Sequence, residues 1–440
     1  MHIACRRLFS HICLTLAVAP FLATAHDLEV HGSNTIGATL APMLVTSFLQ
    51  QRSAETITAT ATGSQNETVL SGTRDGKPFS VLVAAHGTST GFISMAANQA
   101  DIWAASRRIK PSEVAAMVSR ADMTGAQSEH VIAIDGLAIL VHPSNPLEQL
   151  NIETLARIFA GEITNWSAVG GPDLPIGIYA RDERSGTWDT FKELVLAGRY
   201  ILTDSARRYE SNDQLSDDVS SDPAGIGFAG FASVRSSKLL AIADGNAPAL
   251  KPSKMSVATE DYPLSRRLYL YTPGVTGGPL VQAFIEYAQS QPGQDIVAQS
   301  GFFSQNPFAV EPEYDASVPE SFKRLTAQYK RLSVNVRFAE GRTQLDNKAK
   351  RDLLRVQHYL QQSGKTGSNL MLIGYADQQT DELRAQMISE LRALSVSKAL
   401  RELGIPVPGH TGYGHYMPVG SAGGNAGAQR NGRVELWVRR

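Results

Sequence analysis

Apolar positions in the chain change period in a recurring order. "LEVHGSNTIGATLAPMLVTSFLQ" predicts a short strand, a Gly-Ser-Asn-Thr turn and a helix with Leu40, Met43, Leu44 and Phe48 on one face. "FSVLVAAHGTSTGFISMAANQADIWAASRRI" repeats the strand, loop and helix. So does "LPIGIYA" running into "RDERSGTWDTF", where Phe191, Leu194 and Val195 continue at helical spacing. This alternation predicts α/β layers with ligand sites at strand ends. Between about Phe303 and Arg331 periodicity fades into "SQNPFAVEPEYDASVPESFKRLTAQYK", which reads as an interdomain connector ending in a short helix. From Leu332 a new pattern starts. "LSVNVRF", "NLMLIGYAD" and "GRVELWVRR" predict strands, and "DNKAKRDLLRVQHYLQQ" and "DELRAQMISELRALSVSKALRELG" predict the helices between them. That order describes a small α+β domain.

At 440 residues, 42% hydrophobic and 19% charged, the chain reads as globular, with about two or three domains. Its start pairs Arg6 and Arg7 with an apolar stretch from Ile12 to Leu22 and Ala23-Thr24-Ala25, which predicts a secretory signal peptide over residues 1–25. An uncleaved anchor would need a longer apolar stretch, and a twin-arginine leader ranks behind ordinary secretion. Cys5 and Cys13 both fall in this leader, so a mature chain cut after Ala25 has no disulfide, thiolate metal site or cysteine nucleophile. The ten histidines are scattered without metal-ligand spacing, and no metal or cofactor is expected. Charge is divided unevenly. Residues 332–440 carry 15 Lys and Arg against 9 Asp and Glu, a balance of +6, while residues 26–331 stand at −9. Nucleic acid is therefore not an expected partner. An anion site in the acidic part must work through local, directed hydrogen bonds.

Four segments carry the chemistry for such a site. Ser185, Gly186 and Thr187 lie where a loop becomes a helix, close to Arg181; Asn34 and Thr35 follow Gly32-Ser33; Thr88 and Ser89 follow Gly87; and Ser106 ends the strand-like "DIWAA". Hydroxyls, backbone N–H groups and a guanidinium aimed at one spot suit a small oxyanion. An ordinary N-cap at Ser185 or Thr187 with a solvated Arg181 is the alternative reading.

The stretches "GSNT", "HGTSTGF", "ADIWAASRRI", "VIAIDGLAILVHPSNP", "IFAGEITNWSAVGG", "RDERSGTWDTF", "AGIGFAGF" and "YPLSRRLYLYTPG" stand in the order found in periplasmic phosphate-binding proteins of ABC importers, which residues 28–302 therefore resemble. The resemblance implies a type 2 periplasmic binding protein of two α/β lobes within residues 26–303, lobe one from about 27–134 and 246–303 and lobe two from 135–245. It implies phosphate contacts at Asn34, Thr35, Thr88, Ser89, Ser106, Arg181, Ser185, Gly186 and Thr187. Phosphate, an ABC permease and a periplasmic location follow as partners and place. One departure is Ser106, where some members have an aspartate that accepts the phosphate proton and repels sulfate. Glu183 is a second source for that acceptor, or a solvated loop carboxylate. Arg107 either contacts the anion or braces its loop.

Beyond the connector at 304–331, residues 332–440 resemble the OmpA-like peptidoglycan-binding domain through "GYAD" at 374–377, "ISELRA", "GYG" at 412–414 and "NGRVEL" from Asn431. By that resemblance Asp377 takes the ammonium of diaminopimelate in the stem peptide and Arg392 its carboxylate. By spacing alone they read as a helix cap and an exposed helix residue. Tyr375-Ala376 in place of His-Thr, a glycine missing after Asp377 and Gly432 in place of an arginine depart from the pattern. The combined reading is a non-enzymatic phosphate receptor held on the cell wall. A secreted phosphatase using Ser185 and a structural wall protein with an anion-sensing domain are the alternatives.

Overall fold

The computed structural model describes residues 26–183, 185–274, 278–314, 318–338, 345–377, 381–422 and 430–440. The leader read at 1–25 lies outside the described residues, as do Arg184 and residues 378–380 just after Asp377.

Residues 26–303 are organised by one long strand, Glu129–Val141, in the middle of an eleven-stranded sheet. Its first part, Glu129 to Gly136, pairs antiparallel with Ser265–Tyr271, and its last part, Leu137 to Val141, pairs with Gly225–Gly230. The strand is buried along nearly its whole length, which suits the continuous apolar run "VIAIDGLAILV". On one side Leu28, Leu44, Phe48, Ile102 and Phe284 form a core, and on the other Ile139, Phe159, Phe191 and Phe228 form a second. The sheet thus continues through two lobes, and the chain crosses between them at this strand.

The first helix expected from the sequence is Leu40–Gln51. Leu40, Leu44 and Phe48 are buried as read, but Met43 is half-buried, and Ala41, Val45 and Leu49 complete the buried face. The stripe is turned because helices Gly278–Gln289 and Gln291–Gln299 pack on that flank, with Phe48 and Phe284 ring centres 5.4 Å apart.

Residues 309–440 build a second sheet ordered Ala309–Val310, Tyr329–Arg337, Arg433–Arg439, Leu370–Gly374, Gly409–Gly412, covered by helices Asn347–Gln362 and Glu382–Glu402. Asp381 starts the long helix by accepting from the N–H groups of Leu383 and Arg384. The first of these strands belongs to the segment read as a connector, and that reading is corrected. Ala309 and Val310 pair with Leu332 and Arg331, and helix Glu320–Thr326 buries Phe322 against Tyr413 and Trp437 at 5.0 and 5.7 Å. Two short elements joined by prolines give no periodic signal, yet one aromatic anchor is enough to fix them on a sheet.

The two parts are docked through buried charge. Asp261, in the turn before strand Ser265–Tyr271, accepts from Arg331 Nη2 at 2.7 Å, Arg337 Nη2 at 2.7 Å and Asn335 Nδ2 at 2.9 Å. Beside it Arg267 bonds Glu260 of its own part and Asp346 of the other, at 2.5 and 2.6 Å. Asp244 accepts from the Ser421 N–H at 3.0 Å and pairs with Arg430. The acidic N-terminal part and the basic C-terminal part thus meet where their charges are complementary.

Burial alone would raise the pKa of Asp261, but the guanidinium groups of Arg331 and Arg337 hold it well below the usual carboxylate range. Its contribution to stability is therefore complete above the unfolded value near 3.9 and is lost as pH falls through the lower, folded value. Melting temperatures of the wild type should hold from neutrality down to about pH 4 and fall below it. Asp261→Asn should be less stable at pH 7, by about 3–5 kcal/mol for stranding buried guanidinium groups, with a flatter acid limb. Parallel acid limbs for the two proteins would remove Asp261 from the docking.

Candidate functional site

The cleft between the lobes is assembled from loops whose conformations the sequence dictates. Strand Leu28–Gly32 ends on Gly32 at φ +144°, where a Cβ would lie 2.0 Å from the Ala104 carbonyl oxygen; only glycine lets the strand close there. The chain then turns into helix Asn34–Gly37, presenting Asn34 and Thr35. The Gly87 N–H donates to the Gly32 carbonyl at 2.7 Å, which sets Thr88 at the start of helix Thr88–Ala96 beside that turn. Ser106, just past strand Ile102–Ala105, donates its N–H to Thr88 Oγ1 at 3.1 Å, and the two hydroxyl oxygens are also 3.1 Å apart. One bond between two hydroxyls uses one proton, so the other remains for a further acceptor.

The opposite wall comes from strand Gly177–Arg181 and helix Gly186–Phe191. Ser185 Oγ accepts from the N–H groups of Thr187 and Trp188 at 3.2 and 3.4 Å. The cap reading is therefore correct for Ser185, and its own O–H remains a donor into the cleft. Gly186 approaches the other lobe so closely that a Cβ would lie 1.6 Å from Thr35 Oγ1.

Arg181 is 8% exposed, so the solvated alternative does not describe it. Its Nε donates to the Tyr209 carbonyl at 3.1 Å, Nη2 to the Glu210 carbonyl at 2.6 Å and Nη1 to Thr187 Oγ1 at 3.5 Å. Neutral oxygens orient the guanidinium, and no carboxylate forms an ion pair with it among the described residues. Burial pushes its pKa below the ordinary arginine value, and the nearby Asp182 and Glu210 oppose that only in part.

The nine residues named from sequence fall around two adjoining cavities. Asn34, Thr35, Arg181, Ser185, Gly186 and Thr187 line one of about 700 Å³, and Thr88, Ser89, Ser106 and again Asn34 line one of about 1070 Å³. Two further residues were missed. Arg266 lines the second cavity and Asp135 the first; they stand directly opposite in the central strand pair and form an ion pair at 3.0 Å. Arg266 also donates to Thr35 Oγ1 at 3.1 Å, so it fixes a hydroxyl of the site. Both lie in stretches already distinctive in the sequence, "IDGLAIL" and "PLSRRLY", but only strand register brings them together.

Arg107 braces its loop: Nη1 and Nη2 grip Glu113 at 2.9 and 2.7 Å. The Glu183 side chain is 84% exposed and 3.8 Å from Arg208, which is the solvated-carboxylate reading. Among the described residues no group of three or more His, Cys, Asp or Glu is placed to hold a metal ion.

In the C-terminal domain Asp377 and Arg392 are brought together as a pair, Nη2 to Oδ2 at 3.2 Å, with Arg392 Nη1 also donating to the Tyr375 carbonyl at 2.9 Å. Arg392 is 2% exposed, so it is not the exposed helix residue that spacing alone suggested, and the helix is capped by Asp381 rather than by Asp377, itself 8% exposed. Gly432 lies against them: a Cβ there would be 2.5 Å from Asp377 Oδ1. The departure at 432 thus leaves room for this pair.

A two-lobed sheet crossed by one strand, with a polar cleft holding an unneutralised arginine between the lobes, defines a ligand-binding receptor of the periplasmic binding protein class. The chain belongs to the PBP superfamily, whose domain matches residues 46–292, and its C-terminal part matches the OmpA family over residues 337–432. It is similar to protein SphX of Synechococcus elongatus, 32% identical over 240 residues that make up 51% of this chain and 70% of that protein. It is also similar to the phosphate-binding protein PstS of Borreliella burgdorferi, 30% identical over 193 residues, 42% of this chain and 68% of that one. Among solved structures, the ABC-type phosphate transport receptor of Vibrio cholerae superposes with a TM-score of 0.50 at 25% identity, covering 63% of this chain and 99% of that one.

The contact of Gly186 with Thr35 sets how closely the lobes meet. Gly186→Ala should cost about 1–3 kcal/mol in urea denaturation by overpacking that edge. Thr35→Ala should recover part of the loss in the double variant, and a purely additive double-mutant cycle would mean that the two residues do not touch.

Proposed function

We propose that the chain is a phosphate receptor of the cell envelope, working with an ABC permease for uptake and held on peptidoglycan by its C-terminal domain. The observation that carries the first part is Arg181, a buried guanidinium oriented only by neutral oxygens in a cleft lined by hydroxyls. A buried cation whose burial is only partly offset by nearby carboxylates is costly, and an anion entering the cleft would reduce that cost while accepting hydrogen bonds from Thr35, Thr88, Ser106, Ser185 and Thr187. The relatives named for phosphate binding favour phosphate as that anion. Closure of the lobes around it would exclude water and strengthen each charge-assisted bond. Ser185 Oγ serves as a helix cap and, among the described residues, bonds no histidine or carboxylate, which favours a receptor over a phosphatase.

Calorimetric titration of the mature protein with phosphate and sulfate tests this reading. Arg181→Ala should weaken phosphate binding by about 2–5 kcal/mol, and unchanged affinity would take Arg181 out of the site. With Ser106 where a proton-accepting carboxylate is absent, the wild type should separate phosphate from sulfate only modestly, and Ser106→Asp should widen the gap. Rejection of sulfate by the wild type far above saturating phosphate would assign proton acceptance to another group.

For the tether, the Asp377–Arg392 pair offers one end to an ammonium and the other to a carboxylate, so a zwitterionic stem peptide would insert between them and replace their mutual bond. Sacculus pull-down should retain the wild type and release Asp377→Asn and Arg392→Gln, with phosphate titration as the folding control. Equal retention of all three would leave this domain without an anchoring role through that pair.

A further inference from the structure

A third cavity, with surplus positive charge, lies at the junction of the two parts and shares no lining residue with the two in the cleft. It measures about 510 Å³ and is lined, among others, by Gln289, Gln291 and Asn306 from the receptor side and by Arg351, Arg355 and His358 from helix Asn347–Gln362. Residues 351, 355 and 358 share one helical face. No carboxylate lines this cavity. Two acids stand behind it: Asp295 accepts from Asn306 Nδ2 at 3.0 Å, and Asp352 accepts from Lys348 and from Arg355 Nη1, each at 2.7 Å. Arg351 has no ion pair among the described residues and donates only to Gln289 Oε1, at 2.6 Å.

Arg355 is the least satisfied of these groups. It is 8% exposed, and its Nη1 also reaches Gln305 Oε1 at 3.0 Å, but its buried Nε and Nη2 have no hydrogen-bond partner among the described residues. Burial lowers its pKa beyond what Asp352 restores. His358 Nε2 and Gln362 Nε2 meet on Gln291 Oε1 at 2.8 and 2.9 Å, which holds the imidazole at the rim.

We propose that this junction is a second oxyanion site, taking a phosphate group, free or as a phosphomonoester, between Arg351, Arg355 and His358. Two guanidinium forks and an imidazole offer directed donors on several sides and at least two positive charges. That matches a tetrahedral dianion better than a planar carboxylate, which one fork would saturate. The cations come from one domain and the amides from the other, so the site exists only while the domains are docked. By linkage its occupant stabilises that docking in proportion to ln(1 + [L]/Kd).

The test is equilibrium dialysis of the full mature chain against labelled inorganic phosphate and, separately, glycerol phosphate. Four proteins are compared: wild type, Arg181→Ala, the double variant Arg351→Gln/His358→Gln, and the three changes combined. Both double-variant positions are partly or fully exposed, so folding should survive; an unchanged melting temperature in phosphate-free buffer checks it. The wild type should bind two phosphates per chain, Arg181→Ala and the double variant one each, and the combined variant none. If the cleft reading failed, Arg181→Ala would match the wild type while the double variant still lost its equivalent. Glycerol phosphate binding lost in the double variant but not in Arg181→Ala would show that the junction takes a phosphomonoester, and loss of inorganic phosphate alone would restrict it to the free ion. Stoichiometry and affinity unchanged by Arg351→Gln/His358→Gln for both ligands would overturn the proposal.

Discussion

A charge taken out of water must be answered by its neighbours, and in this molecule the buried guanidinium groups are answered either by a carboxylate of the fold or by neutral oxygens. Arg331 and Arg337 share Asp261 across the domain junction. Arg392 has Asp377 within its own domain. Arg266 has Asp135 on the neighbouring strand. Among the described residues the Arg181 hydrogen bonds go to two carbonyls and a hydroxyl. The first and third pairings are structural, because both charges belong to the fold. An arginine that the fold buries and orients without neutralising it differs in kind: its missing partner must come from outside, and the hydroxyls around it define what that partner accepts.

Much of this was legible before any coordinates. The strand–loop–helix order, the nine cleft residues and the two parts follow from periodicity and from separated motifs standing in a fixed order. Pairings that depend on register or docking were not. Asp135 and Arg266 are 131 positions apart and meet only because Ser265–Tyr271 pairs with Glu129–Val141. Phe322 looked like one apolar residue among prolines, and nothing local says that Tyr413 and Trp437 wait for it. Asp377 and Arg392 were legible as opposite charges, but their bond to each other is tertiary. The docking itself left a trace: a balance of −9 over residues 26–331 and +6 over residues 332–440. That imbalance is the field in which a basic domain settles on an acidic one.

Two adjacent residues show how closely these arrangements are joined. Successive side chains on a strand point to opposite faces, so Arg266 and Arg267 cannot serve the same neighbour. Arg266 turns to Asp135 and Thr35 at the cleft floor, and Arg267 turns to Glu260 and to Asp346 of the docked domain. One strand thickness therefore separates the ligand-facing hydroxyl of Thr35 from the junction held by Asp346 and Asp261. A connector running free through solvent would leave the cleft indifferent to the C-terminal domain. With residues 309–310 in that domain's sheet and Arg267 shared across the junction, the strand that supports the binding site is also the strand against which the second domain is fixed.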